Sequence, residues 1–267
     1  MVAIDGVHLK KDLGIDILLD IELPGLPPTR DKTLEIPGMH GVYDFPSEMD
    51  PVPHAIPLRV RSNNMADVQR KVKELTRLLL DDWGRPKNVK LSYDLESNKY
   101  HWVRYSGSLD ILRRAIAGDF TLPFINNKAW HYSNVENNEI HWDSETVTFD
   151  DDYSFETVYV DDEHISSPQT VQTFVNGYAI RPKIIITGSG DNVTFRANGK
   201  SFSLKNFTDA SFEINGQNYT IIKDGANGFS EKVGKDFLEL LPGLNDIEIS
   251  GSNMDFNLSV IVIDQYM

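Results

Sequence analysis

Val193-Thr194-Phe195-Arg196-Ala197-Asn198-Gly199-Lys200-Ser201-Phe202-Ser203-Leu204 is followed, at an offset of 17, by Ala210-Ser211-Phe212-Glu213-Ile214-Asn215-Gly216-Gln217-Asn218-Tyr219-Thr220-Ile221. Each stretch sets Asn-Gly between two runs in which apolar and polar residues alternate. A period of 2 puts one set of side chains on one face of a strand. Asn-Gly supplies the two positive-φ positions of a tight hairpin turn. Val193, Phe195, Ala197, Phe202 and Leu204 therefore share one face, as do Ala210, Phe212, Ile214, Tyr219 and Ile221. Two such faces need cover. Lys183 to Thr187, Ile247 to Ile249 and Phe256 to Ile263 read as further strands, and Gly188-Ser189-Gly190 as a turn. Residues 165–267 are thus expected to form a two-sheet β-sandwich. Two hairpins are too few for a solenoid.

Upstream, the charge changes abruptly. Residues 129–180 hold 11 Asp and Glu and no Lys or Arg, whereas residues 1–128 balance 18 against 18. Within that region, 135–164 reads as an acidic connector or projecting arm, with Thr146 to Phe149 and Tyr153 to Val160 able to pair around Asp150-Asp151-Asp152. Residues 1–134 read as an α+β domain. It opens with a short hairpin turning at Asp5-Gly6. Residues 24–57, with eight prolines, read as an extended arm. One helix is expected over 65–82, capped by Asn63 or Asn64, because Met65, Val68, Val72, Leu75, Leu78 and Leu79 recur at spacings of 3 and 4. Trp83-Gly84 and Pro86 end it. The strands Val89 to Tyr93, Tyr100 to Tyr105, Ser108 to Leu112 and Phe120 to Phe124 supply the sheet it covers. The fold class is mainly β with one helix.

Composition excludes several functions. The chain has 267 residues, a formal charge of −14 and no cysteine. Disulfides, thiol nucleophiles, zinc fingers and iron–sulfur centres are therefore out. The acidic balance argues against gripping nucleic acid. No apolar run approaches the ~20 residues that span a bilayer. Met1 to Gly6 show no signal-peptide pattern.

Candidate chemistry is sparse. The seven histidines, His8, His40, His54, His101, His131, His141 and His164, form no tight metal spacing and read as ordinary surface or half-buried residues. Asp150, Asp151, Asp152, Glu156, Asp161, Asp162 and Glu163 offer carboxylates for a glycosidase pair, but they equally describe a solvated acidic face. They match no calcium loop. Gly199-Lys200-Ser201 lacks the upstream glycine of a phosphate loop and falls in a hairpin turn. Trp130, Tyr132, Trp142, Tyr153 and Tyr159 cluster along the acidic stretch. They suit partner binding or stacking on sugars, or packing of the joint between the domains. The region 181–267 has no tryptophan and shows no cluster of sugar-binding aromatics.

Two stretches together resemble a known family. Tyr100-His101-Trp102-Val103-Arg104-Tyr105-Ser106-Gly107, leading to Ala117-Gly118-Asp119-Phe120-Thr121-Leu122-Pro123-Phe124, resembles the end of the N-terminal domain of phage distal tail (Dit) proteins, the baseplate hubs of phages with long non-contractile tails. Asp236 to Gly251, with Pro242-Gly243-Leu244-Asn245 at its centre, is similar to the family's late proline-glycine passage. Asn176-Gly177, followed by Pro182 to Gly188, opens the C-terminal domain in a similar way. Ile36-Pro37-Gly38-Met39-His40-Gly41 stands where relatives carry a Gly-Arg-Asp-Gly-like turn, with Met39-His40 replacing the charged pair.

The resemblance implies a structural, non-enzymatic virion protein of the tail tip, made in the bacterial host cytoplasm. Its N-terminal domain would form a ring, usually of six copies. Its C-terminal sandwich would be galectin-like or similar to a carbohydrate-binding module. Partners would be further copies of itself, the tail tube protein, a tail tip or tail-associated protein, and receptor-binding proteins or a cell-wall glycan. DNA would pass through without specific binding, and nothing would insert into a membrane. No catalytic, cofactor-binding or metal residue is implied. Ala117, Gly118, Asp119, Phe120, Pro242, Gly243 and Asn245 would be structural. The alternative function is glycan binding by the C-terminal sandwich.

Overall fold

Asp5 and Gly6 take φ of 47° and 80°, the left-handed pair that a two-residue hairpin turn requires. They join β1 (Val2–Ile4) to β2 (Val7–His8). The structure is a computed structural model that describes residues 2–18, 25–62, 64–114, 117–140 and 158–267. It divides into two units. One runs to Tyr132 and takes in Met267, and the other is Ser133–Tyr266.

The first unit continues with β3 (Ile15–Ile17), β4 (Thr29–Leu34), β5 (Tyr43–Met49), β6 (Val52–Arg61), α1 (Met65–Leu79), β7 (Asn88–Tyr93), β8 (Glu96–Tyr105), β9 (Leu112–Arg114) and β10 (Ala117–Asn126), and ends at Tyr132, within β11 (His131–Ser133). Its antiparallel sheet runs β2-β1-β7-β8-β10-β6-β3, with β9 beside β10. Asn64 caps α1, its Oδ1 accepting from the Asp67 N–H at 2.8 Å. Val68, Leu75 and Leu79 are buried with Ile56, Leu58, Val60, Leu122 and Phe124 of the sheet. Each such side chain contributes ~1.5–3 kcal/mol on leaving water. The helix stops at Leu79, short of Asp82. The Leu79 carbonyl accepts from Lys87 N–H (3.0 Å) and the Arg85 carbonyl from Asp81 N–H (2.9 Å), so the chain has already reversed.

The proline-rich stretch differs from a continuous arm. Residues 52–57 begin β6, a core strand with Val52, His54 and Ile56 buried. Proline counts misled here because β3 pairs only with Leu58–Val60 of β6, so the missing N–H groups of Pro53 and Pro57 fall outside that ladder. What stands out is β4–β5, a separate two-stranded sheet with every residue exposed.

The second unit contains β12 (Val160–Ile165), β13 (Gln169–Val175), β14 (Lys183–Ala197), β15 (Lys200–Leu204), β16 (Phe207–Asn215), β17 (Thr220–Lys223), β18 (Ala226–Asn227), β19 (Lys232–Val233), β20 (Gly243–Ile261) and β21 (Gln265–Tyr266). The first hairpin turns at Asn198-Gly199 as expected, with Ala197 opposite Lys200 and Phe195 opposite Phe202. The second differs: Asn215 pairs with Thr220, so the connection is the four residues 216–219 rather than Asn-Gly, the positive φ falls on Tyr219, and Tyr219 is exposed instead of sharing the core face. The layers differ from two separate sheets. They are continuous through β14 and β20, which pair from Lys183↔Ile261 to Arg196↔Glu248. One half of β20 also pairs with β12 and the other with β13. Gly188-Ser189-Gly190 is therefore no turn. It lies inside β14, where the register shifts against both neighbours, and such bulges bend a strand. Phe195, Phe202, Phe207, Phe212 and Phe256 fill the core so enclosed.

Ser133–Ile140 belongs to this unit rather than to a connector. Asn137 is fully buried. Its Oδ1 accepts from Val262 N–H at 2.9 Å, its N–H donates to the Val262 carbonyl at 2.9 Å, and its Nδ2 donates to Thr173 Oγ1 at 3.3 Å. Of the hairpin read over 146–160, positions 146–157 lie outside the described residues. Val160 opens β12 opposite Val260 of β20.

Candidate functional site

The motif residues of the first unit hold the helix to the sheet. Gly118 lies where α1 crosses β10, and a Cβ there would stand 3.1 Å from Ile111 Cγ2 and 3.3 Å from Val68 Cγ1. Asp119 faces Arg59 across the β10–β6 ladder and accepts a forked pair from it, Nε to Oδ1 at 2.6 Å and Nη2 to Oδ2 at 2.8 Å. This pair raises the Arg59 guanidinium further above its ordinary value, the hydrogen bond being the larger cause. Phe120 points into the core, and Ala117 opens the strand.

In the second unit Pro242 leads into β20, where Gly243 and Asn245 stand opposite Val175 and Thr173 of β13. Asn245 is 2% exposed. Its Oδ1 accepts from Leu241 N–H (2.8 Å) and Asn198 Nδ2 (2.7 Å), while its Nδ2 donates to the carbonyls of Leu241 and Gly243, both at 2.8 Å. Gly243 takes a φ of 93°, which glycine adopts without penalty.

The aromatics named from sequence fall apart. Tyr132 is buried and stacked on Tyr100 at 5.7 Å, so its ring is used inside the first unit. Burial pushes its phenol up to about 12. Trp130 is half-buried, and its carbonyl accepts from Asn126 Nδ2. Tyr159, in the second unit, is partly exposed. Trp142 and Tyr153 lie outside the described residues. Sequence reasoning missed another group. Tyr219 and Phe229 flank Phe237, at 5.4 and 6.5 Å between ring centroids, and Tyr219 and Phe229 line an open groove of about 380 Å³ with Ile222 and Asn227. Their spacing of ten residues carries no period that would have flagged them.

The exposed hairpin is held in register by charge. Lys32 Nζ donates to Glu48 Oε1 at 2.8 Å and Arg30 Nη2 to Glu48 Oε2 at 3.0 Å. The Lys32 hydrogen bond holds the Glu48 carboxyl below its ordinary value. Leu34 lies opposite Tyr43, and Lys32 opposite Phe45. With period 2, Leu34, Tyr43 and Phe45 therefore share one uncovered face.

Three histidines distant in sequence meet in the first unit. His54 comes from β6, His101 from β8 and His131 from β11. Ring centroids are 4.7 Å apart for His54–His101 and 4.1 Å for His101–His131. His54 Nδ1 is 3.1 Å from the Tyr93 hydroxyl, and His131 Nδ1 is 3.7 Å from Glu96 Oε2. Five residues apart in a regular strand, Glu96 and His101 would face opposite ways. The β7–β8 ladder shifts between Leu91↔His101 and Tyr93↔Glu96, and that irregularity re-aims the side chains. His131 is delivered by a tight loop in which Asn126 Oδ1 accepts from Lys128 N–H. Burial pushes the His54 imidazole down to about 4 and the His101 imidazole to about 3, so both are neutral at pH 7. Burial also lowers His131, against the opposing pull of Glu96.

Residues 9–126 match the model of the phage tail protein RIFT-related domain. Over its whole length the chain is similar in structure to the Dit protein (gp 19.1) of SPP1, presented as a paradigm of the hub adsorption apparatus in phages infecting Gram-positive hosts. The TM-score is 0.68 at 14% identity, covering 100% of this chain and 98% of that one. A chain of the phage p2 baseplate in its activated conformation with Sr matches at a TM-score of 0.50 and 11% identity, covering 96% and 94%. At such identities the shared property is the fold. No curated protein matches this chain in sequence.

Proposed function

We propose that this chain is a Dit-like phage tail protein, its residues 9–126 matching the RIFT-related tail domain, and that it is a structural hub whose copies close into a ring, six by family resemblance, joining the tail tube to the tail tip around a passage for DNA. The observation that carries this reading is the β4–β5 hairpin. A two-stranded hairpin alone is at best marginally stable in water, and this one is exposed throughout with Leu34, Tyr43 and Phe45 on one face. An uncovered apolar face of that kind marks an interaction surface. A head-to-tail contact, hairpin of one copy against another surface of the next, is the kind that generates rings. The balanced charge of residues 1–128 suits a bore that does not hold phosphate.

Light scattering tests it. The wild-type chain is expected at a ring-sized multiple of 30.2 kDa. A variant with residues 30–48 replaced by a short Gly-Ser linker, which spares β6, is expected to be a folded monomer. A wild-type chain that stays monomeric at every concentration and with tail tube protein present, or a shortened chain that still forms rings, removes the reading.

One observation favours glycan binding by the second unit as well: the groove at Tyr219 and Phe229, where two exposed rings stand beside Asn227. Aromatic faces beside polar groups suit sugar rings. Host cell-wall polysaccharide should retain the wild-type chain and release Tyr219→Ala. Equal retention of both, or of neither, counts against it.

A further inference from the structure

We propose that Glu96, His101 and His131 bind one divalent transition-metal ion, zinc by the chemistry of the donors, and so pin the end of the first unit's chain onto β8. One ligand atom from each of the three lies within 4.8 Å of the others. Around zinc, at ~2.0–2.2 Å per bond, neighbouring ligand atoms stand about 3.4 Å apart. The contraction needed is a matter of side-chain rotation, and Glu96 is exposed at the start of β8.

The surroundings ask for a ligand. His54 and His101 are 4% and 6% exposed. His54 Nε2 and His101 Nδ1 are buried without a hydrogen-bond partner. Buried polar atoms are nearly always satisfied, and an ion is one of the recognised explanations when they are not. Both imidazoles line a cavity of about 10 Å³, together with His131, Asn126 and Ala129. That is space for one water-sized sphere. His54 stands outside the ligand set: its Nδ1 reaches the Tyr93 hydroxyl, and its ring packs edge-on against His101. Two imidazoles and one carboxylate form the donor set of zinc and related ions. Calcium and magnesium take oxygen ligands in larger number.

The test uses the full chain, free of any affinity tag and stripped with a chelator. Elemental analysis after zinc addition and dialysis should find one zinc per chain. Zinc should raise the melting temperature, while calcium and magnesium at the same concentration should not. Glu96→Gln, at an exposed position, should melt like wild type without zinc and bind it at least about tenfold more weakly. His131→Gln should abolish the zinc-dependent shift. A stripped wild-type chain that takes up no zinc overturns the proposal. So does undiminished binding by both variants, which would put the ion on surface histidines such as His40 or His164.

Discussion

Gly188→Ala is expected to destabilise the second unit by about 3–5 kcal/mol, a large share of the 5–15 kcal/mol that holds a typical domain. Gly188 lies in β14 between β16 and β20, opposite Ala210 and Phe256. A Cβ there would fall 2.3 Å from the Asp255 carbonyl oxygen and 2.6 Å from Phe256 Cα. These are backbone atoms of a paired strand, so no rotamer change relieves the collision. The φ of 141° adds to this, since backbone held in a region L-residues avoid costs of order 1–3 kcal/mol, and overpacking another 1–3 kcal/mol. Gly225→Ala separates the two contributions. Gly225 has a φ of 78° with nothing within 4 Å of a Cβ, so it carries the backbone penalty alone. Urea unfolding followed by far-ultraviolet circular dichroism should show a small shift for Gly225→Ala and a much larger one for Gly188→Ala. Equal shifts would mean that β20 gives way at this point.

The same glycine marks the limit of what the sequence makes legible. Alternation identifies both hairpins because it is local, and Asn198-Gly199 fixes turn and register of the first within twelve residues. Asn215-Gly216 does not do the same for the second, which closes through residues 216–219. The helix is legible because its period is local too. Gly188-Ser189-Gly190 is locally a turn, and it becomes a bulge only because β16 and β20 hold it on both sides. The Asn137 anchor is likewise invisible, since one polar residue in an acidic stretch gives no sign that it will be buried against Val262. The histidine cluster draws on positions 54, 101 and 131, which share no spacing, and on a ladder irregularity that no pattern announces. Prolines predicted an arm over 24–57, yet β6 accepts two of them where its neighbour β3 does not reach. Local rules therefore find the elements, and long-range pairing decides which polar residues become buried. That second step creates the candidate metal site and the exposed hairpin face.

Asn245→Ala should cost about 3–4 kcal/mol, for the complementary reason that it removes bonds without creating a clash. All four of the amide's hydrogen-bonding capacities are used, on Leu241 N–H, Asn198 Nδ2 and the Leu241 and Gly243 carbonyls. Alanine leaves four partner atoms unmatched at the buried start of β20, at ~1–3 kcal/mol for each that water does not reach. Leu241 is itself half exposed, so its groups regain water, and the total falls below the sum. Asn245→Asp gives the sharper reading. It keeps Oδ1, which accepts from Leu241 N–H and Asn198, but sets a carboxylate oxygen against two carbonyls. Only the protonated acid can donate, and with its single O–H to one of the two, so the fold raises this acid's pKa. A raised pKa means stability that is present at low pH and lost as pH rises through the folded value. Asn245→Asp should therefore recover part of the wild-type stability in acid and lose it towards neutrality, while the deficit of Asn245→Ala stays constant across the same range. Urea midpoints of the three chains at acid and neutral pH decide it. If the Asp deficit is as flat with pH as the Ala deficit, the two carbonyls do not face position 245, and the start of β20 is held by something other than its asparagine.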